Sequence, residues 1–201
     1  MASKLIDHNP ILKKPVLTAL HVCIEHDGAS RAAVETALNE AWSAAFTQTP
    51  SSVVNALVRT GYLTEQITVD GAPYAGTLED AYRDDAVALD ANVDAVLTVT
   101  ASGRALVEDY APAVTLARLF SKRARYVPVF KSALEACCAA GGATRENIEK
   151  AIDASIAGHG IVGDEGQRIY AQYFIDALET AGGIEWDGVW QATDAGRAAI
   201  D

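Results

Sequence analysis

Ile184-Glu185-Trp186-Asp187-Gly188-Val189-Trp190-Gln191-Ala192-Thr193-Asp194-Ala195-Gly196-Arg197-Ala198 is the stretch that decides the fold. Asp187-Gly188 between two tryptophans predicts a tight β-hairpin, because such a turn needs residues that accept positive φ. Thr193, just after the second strand, is placed to cap a helix beginning near Asp194. The same ending occurs once earlier, as Val96-Leu97-Thr98-Val99-Thr100 followed by Ala101-Ser102-Gly103-Arg104-Ala105. Two copies of a strand followed by Thr-x-x-Gly-Arg-Ala point to an internal duplication.

The segments upstream match in the same register. Asn55 to Leu63 aligns with Asp176 to Ile184, each ending a helix on a glycine (Gly61, Gly182) and entering an apolar strand residue. Ser30-Arg31 aligns with Thr144-Arg145, each an N-cap followed by apolar positions four apart: Val34 and Leu38 in one copy, Ile148 and Ile152 in the other. Pro15-Val16 and Pro128-Val129 each open an apolar helix. The order in both copies is helix, helix, helix, strand, strand, short helix, so the fold class is mainly α with small β-hairpins (α+β).

That order, with its helix–Gly–strand junction and its strand followed by Thr-x-x-Gly-Arg-Ala, resembles the winged-helix transcription regulators. The resemblance runs over nearly the whole chain in two passes. It implies two winged-helix domains in tandem joined by a helical linker. Residues 1–121 would form the first domain, with a long wing insertion over 70–94 and the linker helix; residues 122–201 would form the second.

Composition narrows the function classes. Half of the 201 residues are hydrophobic, enough for two small cores. No apolar run reaches membrane-spanning length, and the N-terminus lacks a signal-peptide core. Three cysteines, two adjacent (Cys137, Cys138), form no disulfide framework and read as buried thiols in a reducing cytoplasm. The net charge of −11 is unusual for a nucleic-acid binder, so the distribution of charge decides.

One stretch escapes the acidity: Thr47 to Thr64 holds no carboxylate. Thr49 and Pro50 open its helix, the third of the first copy. In the resembled family that helix enters the DNA major groove. The resemblance then makes Gln48, Thr49, Ser51, Ser52, Asn55 and Arg59 candidate DNA contacts, residue types that bond base edges or phosphates. The basic cluster Arg118, Lys122, Arg123, Arg125 and Lys131 is either a solvated linker or a phosphate grip, with Lys122, Arg123 and Arg125 as the candidate contacts. Lys4, Lys13 and Lys14 form a mildly basic arm, solvated or phosphate-contacting.

The wing insertion is the opposite. Asp70 to Asp94 carries seven acids against Arg83 alone. DNA would repel it. It reads as a solvated loop or as a docking surface for a basic partner through Asp80, Asp84 and Asp85; the spacing is not that of a calcium loop. A short helix near Thr77 is expected within it, with Leu78 and Tyr82 packing back. From Ser102 to Lys122 a long helix is expected, kinked or broken by Pro112 near Tyr110. It would pack between the units or against a second copy, which leaves a homodimer open. Val127, before Pro128, is expected to be extended.

In the second copy the third helix is expected over about 165–181. Ile169, Tyr170, Tyr173, Phe174, Ala177 and Leu178 read mostly as core at helical spacing, but they are more than one face needs, so some would serve an interface with the first unit or another chain. The helix's acidic neighbours make it a poor DNA reader. Gly158-x-Gly160-x-x-Gly163 matches a dinucleotide pattern, but a helix precedes it and acids occupy the place of the pyrophosphate. His21, Cys23 and His26 lie on different helix faces and cannot converge on one metal. No nucleophile elbow or phosphate loop is found. The chain therefore reads as non-enzymatic, without cofactor or membrane partner. The leading expectation is a cytoplasmic regulator of transcription that binds double-stranded DNA. The rival is a protein-interaction module, similar to the acidic tandem winged-helix subunits that assemble on chromosome-segregation complexes.

Overall fold

The structure, a computed structural model, describes Ile6 and residues 10–161 and 169–201. It is α+β, with short antiparallel sheets among helices. The chain divides into two compact units, Met1–Glu108 and Asp109–Asp201. Among the described residues, no helix is long and apolar enough to cross a membrane.

The first unit contains α1 (Lys13–Glu25), α2 (Arg31–Ala41), α3 (Pro50–Arg59), β1 (Leu63–Val69), β2 (Ala72–Pro73), α4 (Leu78–Arg83), β3 (Val93–Val99) and α5 (Ala101–Asp109). The side chains of Ser30 and Thr49 cap α2 and α3 by accepting from Ala33 N at 3.2 Å and Ser52 N at 3.3 Å. The apolar faces of α1, α2 and α3 bury Val16, Leu20, Leu38, Val54 and Leu57 against Leu63 of β1 and Leu97 of β3. β1 pairs antiparallel with β3 over their full length, Leu63 opposite Val99 and Glu65 opposite Leu97. Ser30 forms an isolated bridge to Val96.

The second unit contains α6 (Pro112–Lys122), a 3-10 turn (Ala124–Tyr126), α7 (Val127–Cys137), α8 (Arg145–Gly158), α9 (Ala171–Thr180), β4 (Ile184–Trp186), β5 (Trp190–Ala192) and α10 (Asp194–Ala198). Phe130, Leu134, Ile148, Ile152, Phe174 and Leu178 are its fully buried centre. Ala143 forms an isolated bridge to Trp190, in the register that Ser30 and Val96 occupy one residue off in the first unit.

The duplication extends to individual hydrogen bonds. Thr100 Oγ1 donates to Gly61 O at 2.8 Å and accepts from Gly103 N at 3.1 Å. Thr193 Oγ1 donates to Gly182 O at 2.7 Å and accepts from Gly196 N at 3.1 Å. Each threonine thus ties the end of the third helix to the start of the closing helix. A Cβ at Gly103 would collide with Tyr62 O, and one at Gly196 with Gly183 O, so glycine is what lets each closing helix approach the strand backbone.

The break expected at Pro112 in the helix over Ser102–Lys122 is present, and it separates α5 from α6. Pro112 has no N–H and opens α6 in the first-turn position that tolerates it. The boundary between units falls after Glu108 rather than at 121/122, because α6 belongs to the second unit: Leu116 is buried in its core and Thr115 Oγ1 donates to Ala181 O at 2.6 Å. Val127 is helical (φ −53°, ψ −44°), not extended, since it continues the 3-10 turn into α7. In the insertion, Ala81 packs against Ile67 and Ala95, while Leu78 and Tyr82 are 40% and 68% exposed. Within the helix expected over about 165–181, α9 begins at Ala171: Ile169 and Tyr170 are not helical, Tyr170 being an extended N-cap (φ −84°, ψ 142°), and residues 162–168, with Gly163 of the glycine pattern, lie outside the described residues.

Candidate functional site

The third helix of each unit, with the N-terminus of the second helix and the adjoining strand, presents one equivalent face per unit. In the first unit, Arg31 organises that face. It stands at the first position of α2, and its guanidinium donates to Glu35 Oε1 at 2.9 Å and to Glu65 Oε1 at 2.7 Å. Its Nη2 also donates to Asn55 Oδ1 at 2.7 Å and Ser51 Oγ at 3.3 Å. The carboxylate-free stretch is therefore flanked in space by two carboxylates, one from α2 and one from β1. Sequence reading used Arg31 only as a repeat marker, and missed Glu35 and Glu65.

The remaining candidates on α3 divide. Thr49 spends its side chain on the cap. Ser52, exposed, donates its hydroxyl back to Thr49 O at 2.8 Å. Gln48 is half-buried, its backbone oxygen accepts from Trp42 Nε1 at 2.9 Å, and its side-chain oxygen is buried without a partner. Arg59, at the C-terminal end of α3, is exposed. Ser51 and Asn55 are held by Arg31.

In the second unit the same register brings Arg145 to the place of Arg31, Gln172 to that of Ser51, Asp176 to that of Asn55 and Trp186 to that of Glu65. Arg145 Nε donates to Glu149 Oε1 at 2.7 Å, repeating the Arg31–Glu35 pair. Trp186 supplies no carboxylate, so the second ion pair is absent from this face. Instead a cavity of about 430 Å3 opens there, lined by Arg145, Gln172, Ile175, Glu179, Trp186 and Trp190. Trp186 is 56% exposed and stands edge-on to Trp190 at 5.2 Å between ring centroids. A second cavity of about 260 Å3 shares Arg145 and Gln172 and adds Glu149, Asp153 and Tyr170. The aromatic excess of α9 resolves accordingly: Phe174 is fully buried, while Tyr170 is 69% exposed. The hairpin tryptophans were visible in the sequence, but only as flanks of a turn.

The acidic candidates serve the insertion's own fold. Asp80 and Thr77 form a reciprocal capping box at the start of α4, which holds the Asp80 carboxyl below its usual range through the backbone and side-chain hydrogen bonds from Thr77. Asp84 accepts from Tyr74 Oη at 2.9 Å and from Ala86 N at 2.9 Å. Asp85 is exposed. The basic candidates Lys122, Arg123 and Arg125 are exposed at the end of α6 and in the following turn, so they belong to the second unit, whereas α3 belongs to the first. Arg125 lies over the Tyr126 ring at 5.0 Å, Arg118 pairs with Asp109 at 2.9 Å, and Lys131 donates to Ile200 O at 2.6 Å.

Comparison with known proteins finds no matching family model, curated protein or solved structure.

Proposed function

We propose that this chain is a tandem winged-helix protein that acts as a non-enzymatic protein-interaction module, docking through the face formed by α8, α9 and the β4–β5 hairpin. The order of elements supports the fold: in both units three successive helices (α1–α3 and α7–α9), an isolated bridge before the second of them, an antiparallel strand pair and a closing helix tied by a capping threonine recur. The observation that carries the function is Trp186, an exposed tryptophan beside an apolar cavity on the face where the first unit has the Arg31–Glu65 pair. Exposed aromatic side chains beside a pocket are the residue class that dominates protein–protein binding energy.

A second reading, recognition of double-stranded DNA by α3, is favoured by the exposure of Ser52, Asn55 and Arg59 on a helix without carboxylates. It is the weaker, because Glu35 and Glu65 neutralise the guanidinium nearest that face. One pair of experiments separates the two. The tagged full-length chain, purified from its own cells, should retain a stoichiometric partner that Trp186→Glu releases. Purified protein titrated with mixed DNA fragments should show no steeply salt-dependent binding. Salt-dependent DNA binding that Arg59→Ala weakens, with no retained partner, overturns the interaction reading.

A further inference from the structure

The two equivalent faces differ most at one position, and the difference has a chemical direction. In the first unit Glu65 takes the Arg31 guanidinium. In the second, Trp186 stands in that place, a cavity opens beside it, and among the described residues Arg145 has Glu149 as its ion-pair partner. The apolar lining of the opened cavity is Trp186, Trp190 and Ile175. Its charged lining, with that of the adjoining cavity, is Arg145 against Glu149, Asp153 and Glu179, an excess of acid. Two indole rings set edge to face at 62° line the cavity, and a carboxylate is at hand. This combination attracts a cation on an aliphatic stem: the stem fills the apolar space, the charge meets an electron-rich ring face, and the acids complete the field. An anionic ligand would meet Glu179 in the cavity and Glu149 and Asp153 in the adjoining one, in a chain whose net charge is −11.

Resting on the interaction reading above, we propose that the cavity between Trp186, Trp190 and Glu179 receives a lysine or arginine side chain from a basic segment of a partner protein. Arg145 Nε is the nitrogen that donates to Glu149, and no carboxylate among the described residues takes the Nη groups, which would bond the partner's backbone carbonyls.

The probe is an acetylated, amidated peptide of alternating glycine and lysine, titrated into the full-length chain and followed by tryptophan fluorescence and calorimetry. Two further peptides carry Nε-acetyl-lysine or glutamate in place of lysine. The lysine peptide should bind and perturb the fluorescence. The acetylated peptide should bind at least about tenfold more weakly, because it loses the cation–π and ionic attraction together. Trp186→Glu should abolish binding although it makes the chain more negative, because the new carboxylate can take the Arg145 guanidinium as Glu65 takes that of Arg31. Trp186→Ala is the second variant should the first fail to fold, and the urea midpoint of each reports its folding. Undiminished binding of the lysine peptide to both variants would mean diffuse attraction by an acidic chain and overturns the proposal. So does equal binding of the acetylated peptide, or concentration-dependent self-association lost with Trp186→Glu, which would make the occupant a second copy. If no peptide binds while the variant still releases a co-purifying partner, the cation pocket falls and the interaction module stands.

Discussion

The Arg31 guanidinium donates to the Glu65 carboxylate at 2.7 Å across 34 residues of sequence, with about three-quarters of each side chain withdrawn from solvent. The same guanidinium holds Glu35 and Asn55, so it joins α2, α3 and β1 at one point. Arg31→Ala would leave two half-buried carboxylates facing each other and Asn55 without its donor. The expected loss is roughly 1–3 kcal/mol in the first unit, the usual cost of orphaning charged partners. Urea unfolding checks it, and a double-mutant cycle with Glu65→Ala should return a coupling of about 0.5 kcal/mol or more. Coupling near zero would show that the contact contributes nothing beyond the charges in isolation.

Gly103 and Gly196 make a paired prediction. A methyl group at either would overlap a backbone oxygen, which cannot swing aside as a side chain can. Gly103→Ala and Gly196→Ala should each destabilise their own unit by roughly 1–3 kcal/mol or more, the range for overpacked sites. Gly158→Ala is the control: nothing lies within 4 Å of its Cβ position, and its φ is not positive. That change should be neutral or stabilise by about 0.4–1 kcal/mol through the unfolded chain. Three unfolding curves suffice, and equal midpoints for all three would refute the close-approach account.

What the sequence discloses about this molecule is what its residues do locally. Thr100 and Thr193 are caps and Gly61 and Gly182 end helices within a few residues of where they stand, so both units were legible from spacing alone. Pro112 broke its helix where its missing N–H and fixed φ require. Arg31 was not legible as an organiser, because its partners come from α3 and β1, and no local pattern encodes that meeting. Tyr82 was misplaced for a similar reason: hydrophobicity ranks tyrosine inward, but it is Ala81 that packs against Ile67 and Ala95 of the sheet while Tyr82 is exposed. Val127 shows a local preference overridden by the turn before it. Trp186 had a usable signal. The register that aligns Gly61 with Gly182 also sets Glu65 against Trp186, and an exchange of carboxylate for indole between two copies marks where their surfaces part.

Cys23 and Cys137 should make the protein sensitive to alkali. Burial pushes the Cys23 thiol up to about 11, with Asp27 adding to the effect, and the Cys137 thiol up to about 12, with Cys138 adding. Both folded values lie above the 9.0 of an ordinary thiol, so the folded state holds these protons more tightly than the unfolded chain. Their contribution is complete below about pH 9 and is lost as pH rises towards 11 to 12. The urea midpoint should fall over that window, and less steeply in the double variant Cys23→Ala/Cys137→Ala. At pH 8 a thiol reagent should modify neither in the folded chain, because only a minute thiolate fraction is present. Rapid modification of Cys137 in the folded chain would contradict its burial.

The insertion between β1 and β3 carries its own satellite core, Ile67, Ala81 and Ala95, and is held at one end by the Thr77–Asp80 box. Asp80→Ala removes the acceptor for both the Thr77 N–H and its hydroxyl. The expected outcome is a loosened α4 with little change in the global unfolding midpoint, since Leu20, Leu57 and Leu97 pack elsewhere. Trypsin reports it directly: Arg83 ends α4 and pairs with Glu79, and cleavage after Arg83 should speed up in the variant. The same loosening should occur in the unaltered protein at acid pH. Because the Asp80 carboxyl is depressed by its hydrogen bonds, its contribution is intact above about 3.8 and disappears as pH falls through the lower folded value. Amide exchange over residues 77–83 should therefore accelerate below pH 3.8 before the rest of the first unit does. If exchange there rises only together with the core, the box is not what holds the insertion in place.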